Sequence, residues 1–67
     1  MIGYIHIADS GKSFKYRTES NPSFVKVEGA TIRDVAVTLS KNKKVIGITQ
    51  TWNNLTIWYE LPTSEDM

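Results

Sequence analysis

The chain contains no cysteine, one histidine and two prolines among its 67 residues. The lack of cysteine excludes a disulfide scaffold, thiol catalysis and thiolate metal sites. A lone histidine excludes a metal site built on a histidine pair, so we expect neither a metal nor another cofactor. No apolar run approaches the ~20 residues that span a bilayer, and residues 1–9 lack the basic segment of a signal peptide. We therefore expect a cytoplasmic protein that does not bind membranes.

The chain also has almost no excess of one sign of charge, because its 8 basic and 7 acidic side chains give a net charge of +1. Two of the acidic residues, Glu65 and Asp66, lie in the last five positions. The basic excess that remains is too small to imply nucleic-acid binding by itself, but it allows a local basic patch. We expect residues 1–62 to form a single compact domain and residues 63–67 to form a disordered C-terminal tail.

The residue types that are abundant favour strands. Isoleucine, valine and threonine together number 19, against 3 leucines and 3 alanines, and β-branched residues fit pleated sheets better than helices. Two hairpins are predicted, one from residues 2–8 and 14–18 and one from residues 45–52 and 55–61. Pairing Asp9 with Lys12, and Trp52 with Leu55 across an Asn53–Asn54 turn, places the alternating apolar residues of each hairpin on one face.

One helix is predicted between the hairpins. Thr31 is a suitable N-cap, and apolar residues follow at helical spacing: Ile32, Val35, Ala36 and Leu39. Asn42 is a suitable left-handed terminator. Before the helix, residues 24–28 are either a short edge strand or a continuation of the second strand.

These elements predict an α+β fold in which two β-hairpins flank a single helix, in a ββαββ-like order with room for an extra short strand. The helix should pack on one face of a four- to five-stranded sheet. This order resembles that of immunoglobulin-binding domains and other β-grasp modules, in element order only and with no implied function. We expect the core to contain Ile5, Ile7, Phe14, Tyr16, Ile32, Val35, Ala36, Leu39, Ile46, Ile48, Ile57 and Tyr59.

Catalytic machinery is not evident, and we expect the protein not to be an enzyme. His6 has no partner that the sequence would bring within hydrogen-bond reach. The four glycines are too dispersed for a phosphate-binding loop.

The most informative feature is the sheet face turned away from the helix. Strand alternation predicts that this face carries Tyr4, His6, Lys15, Arg17, Thr49, Thr51, Thr56 and Trp58. Such a set is compatible with an ordinary solvated sheet, with a protein contact or with base stacking and phosphate binding. We expect Trp58 to be substantially exposed, and Trp52, at the end of the core face, to be less exposed than Trp58.

A second candidate site is the basic corner formed by Lys41, Lys43 and Lys44 after the helix, which also fits a solvated helix end. We interpret the chain as a small protein-binding module. It is similar, as a class, to inhibitors that phages and mobile elements encode and that act by occupying a macromolecule. The alternative is a nucleic-acid-binding module that uses the open sheet face. An unpaired edge strand could also form a homodimer by sheet extension.

Overall fold

The protein is described here by a computed structural model that covers residues 1–11 and 13–62. The chain order is β1 (Ile2–Asp9), β2 (Phe14–Thr18), β3 (Asn21–Val27), α1 (Ile32–Leu39), β4 (Lys44–Gln50) and β5 (Asn54–Glu60). The tail predicted for residues 63–67 lies outside the described residues.

The strands form one sheet in the order β3-β2-β1-β5-β4. Every neighbouring pair is antiparallel, including the central pair β1 and β5. Helix α1 connects the two edge strands and packs against β1 and β5 in the middle of the sheet. The predicted α+β fold, with one helix on one face, is therefore confirmed, and the extra strand is β3.

Helix α1 begins where the sequence predicts, but it ends at Leu39 with Ser40 as its C-cap, before the predicted terminator Asn42. The Oγ1 atom of Thr31 accepts the backbone N–H of Asp34 at 3.1 Å, which satisfies one of the free donors of the first turn. At the other end, Ser40 donates its backbone N–H to the carbonyl of Ala36 at 2.9 Å. Asn42 then takes the left-handed conformation, with φ at 66°.

The core lies between α1 and the two central strands. Its buried members are Ile5, Ile7, Val35, Ala36, Leu55, Ile57 and Tyr59. Half-buried residues pack around them: Phe14, Tyr16, Val27, Ile32, Leu39 and Leu61.

Two residues expected in the core are not there: Ile46 is 50% exposed and Ile48 is 60% exposed. Both lie on the edge strand β4, whereas α1 has only eight residues and is about 12 Å long. It covers β1 and β5 and does not reach β4. Leu55, which was not predicted, is buried beneath it instead.

Both hairpins are paired two residues away from the predicted register. In the first, Ile7 lies opposite Tyr16 rather than Phe14, because the turn closes with the Ser10 N–H donating to the Ser13 carbonyl at 2.9 Å. In the second, Ile48 lies opposite Ile57 rather than Tyr59. A shift of two residues preserves which side chains share a face, so the predicted faces hold although the partners do not.

The shifted second turn moves Trp52 out of the sheet. Thr51 donates its N–H to the Asn54 carbonyl at 2.9 Å, so Trp52 and Asn53 form the turn in place of Asn53 and Asn54. Trp52 is 98% exposed and Trp58 is 40% exposed. The predicted order of exposure of the two tryptophans is therefore wrong.

Strand β3 is longer than predicted, because it begins at Asn21 and contains Pro22. The sequence predicts that this strand starts at residue 24, after Pro22. Proline is tolerated here because β3 is an edge strand, and the β2–β3 register shifts between Tyr16 and Thr18.

Candidate functional site

The sheet surface opposite α1, called the open face below, carries the residues that strand alternation predicts. His6 lies between Arg17 and Thr56, and Tyr4 lies opposite Trp58. Thr49 pairs with Thr56, and Lys15 pairs with Ala8. The structure thus brings Tyr4, His6, Arg17, Thr56 and Trp58 together around one shallow depression, with Lys15 and Thr49 farther out and Thr51 just beyond the end of β4.

Two aromatic rings form one side of this depression. The ring centroids of Tyr4 and Trp58 are 6.0 Å apart with an interplanar angle of 51°, which is a favourable tilted arrangement. Gly47 lies opposite Trp58 on β4. Because Gly47 has no side chain, it leaves the indole uncovered on that flank.

Phe24, which the sequence did not reveal as part of this site, packs against the Arg17 and His6 side of the depression. The Cζ atom of Arg17 lies 5.1 Å from the centroid of the Phe24 ring, and the His6 ring centroid lies 6.0 Å from it. The residue was missed because residues 24–28 could not be assigned to a strand with a known face. The signal was present in the alternation of Phe24 and Lys26 with Val25 and Val27.

His6 and Arg17 differ in how their side-chain nitrogens are paired. Nδ1 of His6 and Oγ1 of Thr56 are 3.0 Å apart and share a hydrogen bond. The Nε atom of Arg17, by contrast, is buried and has no hydrogen-bond partner among the described residues. An unpaired buried donor is uncommon. The fold therefore encloses Nε of Arg17, and the guanidinium lies against the Phe24 ring.

The open face is basic where it meets β3. Lys15 and Lys26 are directly opposite each other on β2 and β3, and like charges in this position are destabilising. Within the strands, the acidic residue that alternation places on this face is Glu60, whose Oε2 atom lies 3.7 Å from Nζ of Lys44. The positive charge beside the aromatic residues is therefore not neutralised within the sheet.

The basic corner is not a single cluster. Nζ of Lys43 lies 4.7 Å from the centroid of the Tyr59 ring, on the helix side of the sheet. Lys44 pairs with Glu60 at the other face of the same strand end. Lys41 lies in the turn after α1. Two of the three lysines thus have partners within the protein.

A polar cluster on the helix side was not anticipated. Oε1 of Glu19 accepts the backbone N–H of Tyr4 at 2.9 Å and the hydroxyl of Tyr59 at 2.8 Å. Burial acts to raise the pKa of Glu19, but its hydrogen bonds, first those from Tyr4 and Tyr59, together with the positive charge of Lys43 outweigh burial and hold the pKa below 4.5. Burial and the bond to Glu19 together raise the pKa of Tyr59 to about 12.

This cluster leaves no room for a side chain on Gly3. A Cβ atom there would lie 2.8 Å from Oε1 of Glu19 and 2.8 Å from Cζ of Tyr59. The cluster connects the β2–β3 turn to the central strands, so we interpret it as structural.

Residues 1–11 and 13–62 contain no group of three or more histidine, aspartate or glutamate side chains placed to hold a metal ion. In the same part of the chain, no helix is long and apolar enough to cross a membrane. Comparison with protein-family models, curated proteins and solved structures finds no match. The chemistry of the open face is therefore the feature of the molecule that indicates a function.

Proposed function

We propose that the protein is a small, non-enzymatic protein-binding module that holds its partner on the open face. The observation that carries this proposal is the cluster in which Arg17, Phe24, Tyr4 and Trp58 lie together on the side that α1 does not cover. Tryptophan, tyrosine and arginine are the residues most enriched at the energetic centres of protein interfaces. The contact with Tyr4 orients the Trp58 ring, and part of that ring remains exposed to a partner.

Charge indicates what kind of protein surface would fit. Lys15 and Lys26 lie next to each other on this face, and the Arg17 guanidinium adds a third positive charge beside Phe24. An acidic partner surface would relieve the repulsion between the lysines and would be attracted by the charge of Arg17. We propose an inhibitor of the kind that phages and mobile elements encode, which acts in the cytoplasm by occupying an acidic region of its target.

The test is quantitative capture from host lysate with the wild-type protein and with two variants of the open face, Trp58→Ala and Arg17→Ala. Truncating a central contact costs about 2 kcal/mol or more, which is roughly a thirtyfold loss of affinity. Val37→Ala is the matched control, because Val37 is an exposed apolar residue of α1 on the opposite side of the sheet. A protein retained by wild type and by the control, but lost by both open-face variants, supports the proposal.

Two results would contradict it. Partners that bind wild type and the open-face variants equally would use another surface. Loss of the folded circular-dichroism spectrum in Trp58→Ala would mean that Trp58 belongs to the structure rather than to a contact site.

A nucleic-acid-binding module is the second candidate, and the adjacent Lys15 and Lys26 favour it because phosphates could bridge them. Exposed aromatic rings beside cations bind single strands by stacking on the bases. Fluorescence anisotropy with labelled oligo(dT) and oligo(U) tests it. Affinity should fall steeply between about 50 and 200 mM salt if phosphates are bound. Absence of binding at the lower salt concentration would remove this candidate.

A further inference from the structure

The outer edge of β4 presents free backbone groups. Thr51 and Asn54 form a hydrogen-bonded pair at the start of the β4–β5 ladder, and such pairs alternate with non-bonded ones along an antiparallel ladder. The register continues with Thr49 opposite Thr56 and Gly47 opposite Trp58. Thr49 and Gly47 therefore direct their backbone N–H and C=O groups towards β5. Ile48 and Gln50 consequently direct theirs away from the described sheet.

The two edges of the sheet differ in how they are protected against further pairing. The β3 edge contains Pro22 and Lys26, and proline and lysine are common devices that block edge association. On β4, residues 45–50 contain neither a charged residue nor a proline. The register shift of β4 is confined to Val45–Gly47, so residues 47–50 remain regular and able to pair.

Exposed apolar side chains accompany these backbone groups. Ile48 is 60% exposed and Ile46 is 50% exposed. Isolated exposed apolar residues are ordinary, but here they are carried by the strand that has the unprotected edge. Pairing with another strand would cover both the side chains and the backbone groups.

We propose that β4 pairs in antiparallel fashion with β4 of a second copy of this chain, with Ile48 opposite Ile48 of the other copy. This register places the outward backbone groups of the two Ile48 residues opposite each other, brings their side chains together and sets each Gln50 opposite Ile46 of the other copy. It also separates the like charges. Lys44 lies four residues from the centre, so the two Lys44 residues would be about 27 Å apart along the strands, well beyond the Debye length of ~8 Å at physiological salt.

A parallel arrangement would place the same lysines side by side, which argues for the antiparallel one. In an antiparallel pair, opposed side chains lie on the same side of the sheet. Both helices would then lie on one side of a continuous sheet, and both open faces on the other. The dimer would present two copies of the open face to one partner. The pairing itself does not depend on the proposed function of that face.

Sedimentation velocity of the wild-type protein from about 10 µM to 1 mM tests the proposal, because an interface of this limited extent is expected to be weak. The expected result is a rise from monomer to dimer mass with concentration. Gln50→Pro removes an outward N–H without touching the bonds to β5, and Ile48→Lys adds a charge at the centre. Each should weaken dimerisation at least tenfold. Val37→Lys, which makes the same kind of change on exposed α1, should not.

Amide hydrogen exchange of wild type provides a measurement that needs no variant. The Ile48 and Gln50 amides should be more protected at high concentration than at low concentration. A monomer at every concentration would overturn the proposal. A dimer that forms equally well in folded Gln50→Pro, or without concentration-dependent protection of these two amides, would also overturn it by placing the interface elsewhere.

Discussion

The hydroxyl of Tyr59 provides the sharpest test of how the sheet is held together. It donates to Glu19 at 2.8 Å, and Tyr59 is almost completely buried. Hydrogen bonds to charged groups contribute about 1.5–3 kcal/mol. Because Glu19 is only half-buried, the lower part of that range applies. We expect Tyr59→Phe to lower the free energy of unfolding at pH 7 by about 1.5–2 kcal/mol.

The free energy of unfolding at alkaline pH should also depend on this hydrogen bond. The pKa of Tyr59 is raised from 10.0 to about 12 in the folded protein. Its contribution is therefore complete below pH 10 and is lost as the pH rises through about 12, by up to roughly 2.7 kcal/mol. Tyr59→Phe has no hydroxyl to ionise, so its free energy of unfolding should fall less than that of wild type between pH 10 and about 12.

At low pH the contribution of Glu19 to stability changes with pH in the opposite direction. The pKa of Glu19 is lowered from 4.5, so its contribution is present above pH 4.5 and is lost as the pH falls through the lowered value. The loss should be smaller in Tyr59→Phe, because one of the two bonds to the carboxylate is gone.

Urea denaturation followed by tryptophan fluorescence at pH 3, 7 and 11 measures all three effects. Tyr16→Phe is the matched control, since Tyr16 is half-buried beside the same core and its hydroxyl makes no hydrogen bond to another described residue. Equal stability of Tyr59→Phe and wild type at pH 7, or an unchanged alkaline profile, would refute the role assigned to this bond.

Three further changes test other parts of the structure, each by chemical denaturation. Thr31→Ala should cost about 1 kcal/mol because α1 loses its N-cap bond, and an unchanged midpoint would show that the cap contributes nothing. Ile57→Ala should cost about 2–5 kcal/mol because Ile57 is fully buried, whereas Val37→Ala should stay within about 0.5 kcal/mol; similar losses would mean that α1 covers a different region. Gly3→Ala should lower the free energy of unfolding by about 1–3 kcal/mol, because its Cβ would overlap Glu19 and Tyr59. An unchanged free energy of unfolding would show that the Glu19 cluster adjusts freely.

The sequence by itself determined the elements and their faces. Helical spacing from Ile32 to Leu39, with Thr31 before it, is a local pattern that only a helix makes amphipathic. Alternation in β1 and β5 likewise decides which residues share a face, and a register error of two residues does not change that result. This is why Tyr4, Arg17 and Trp58 could be placed on the open face without knowing their partners.

The tertiary structure decided the strand register, the burial of each side chain and the contacts between residues that are distant in the sequence. The turn positions around Gly11 and Trp52 set the register, and neighbouring residues offer nearly equivalent turn chemistry. Burial depended on which strands a short helix can reach, so Leu55 is buried while Ile48 is exposed on the edge. Phe24 beside Arg17, and Glu19 beside Tyr59, meet only after strand order is established. No local pattern records such contacts, because they join residues whose proximity is created by the packing of the whole sheet.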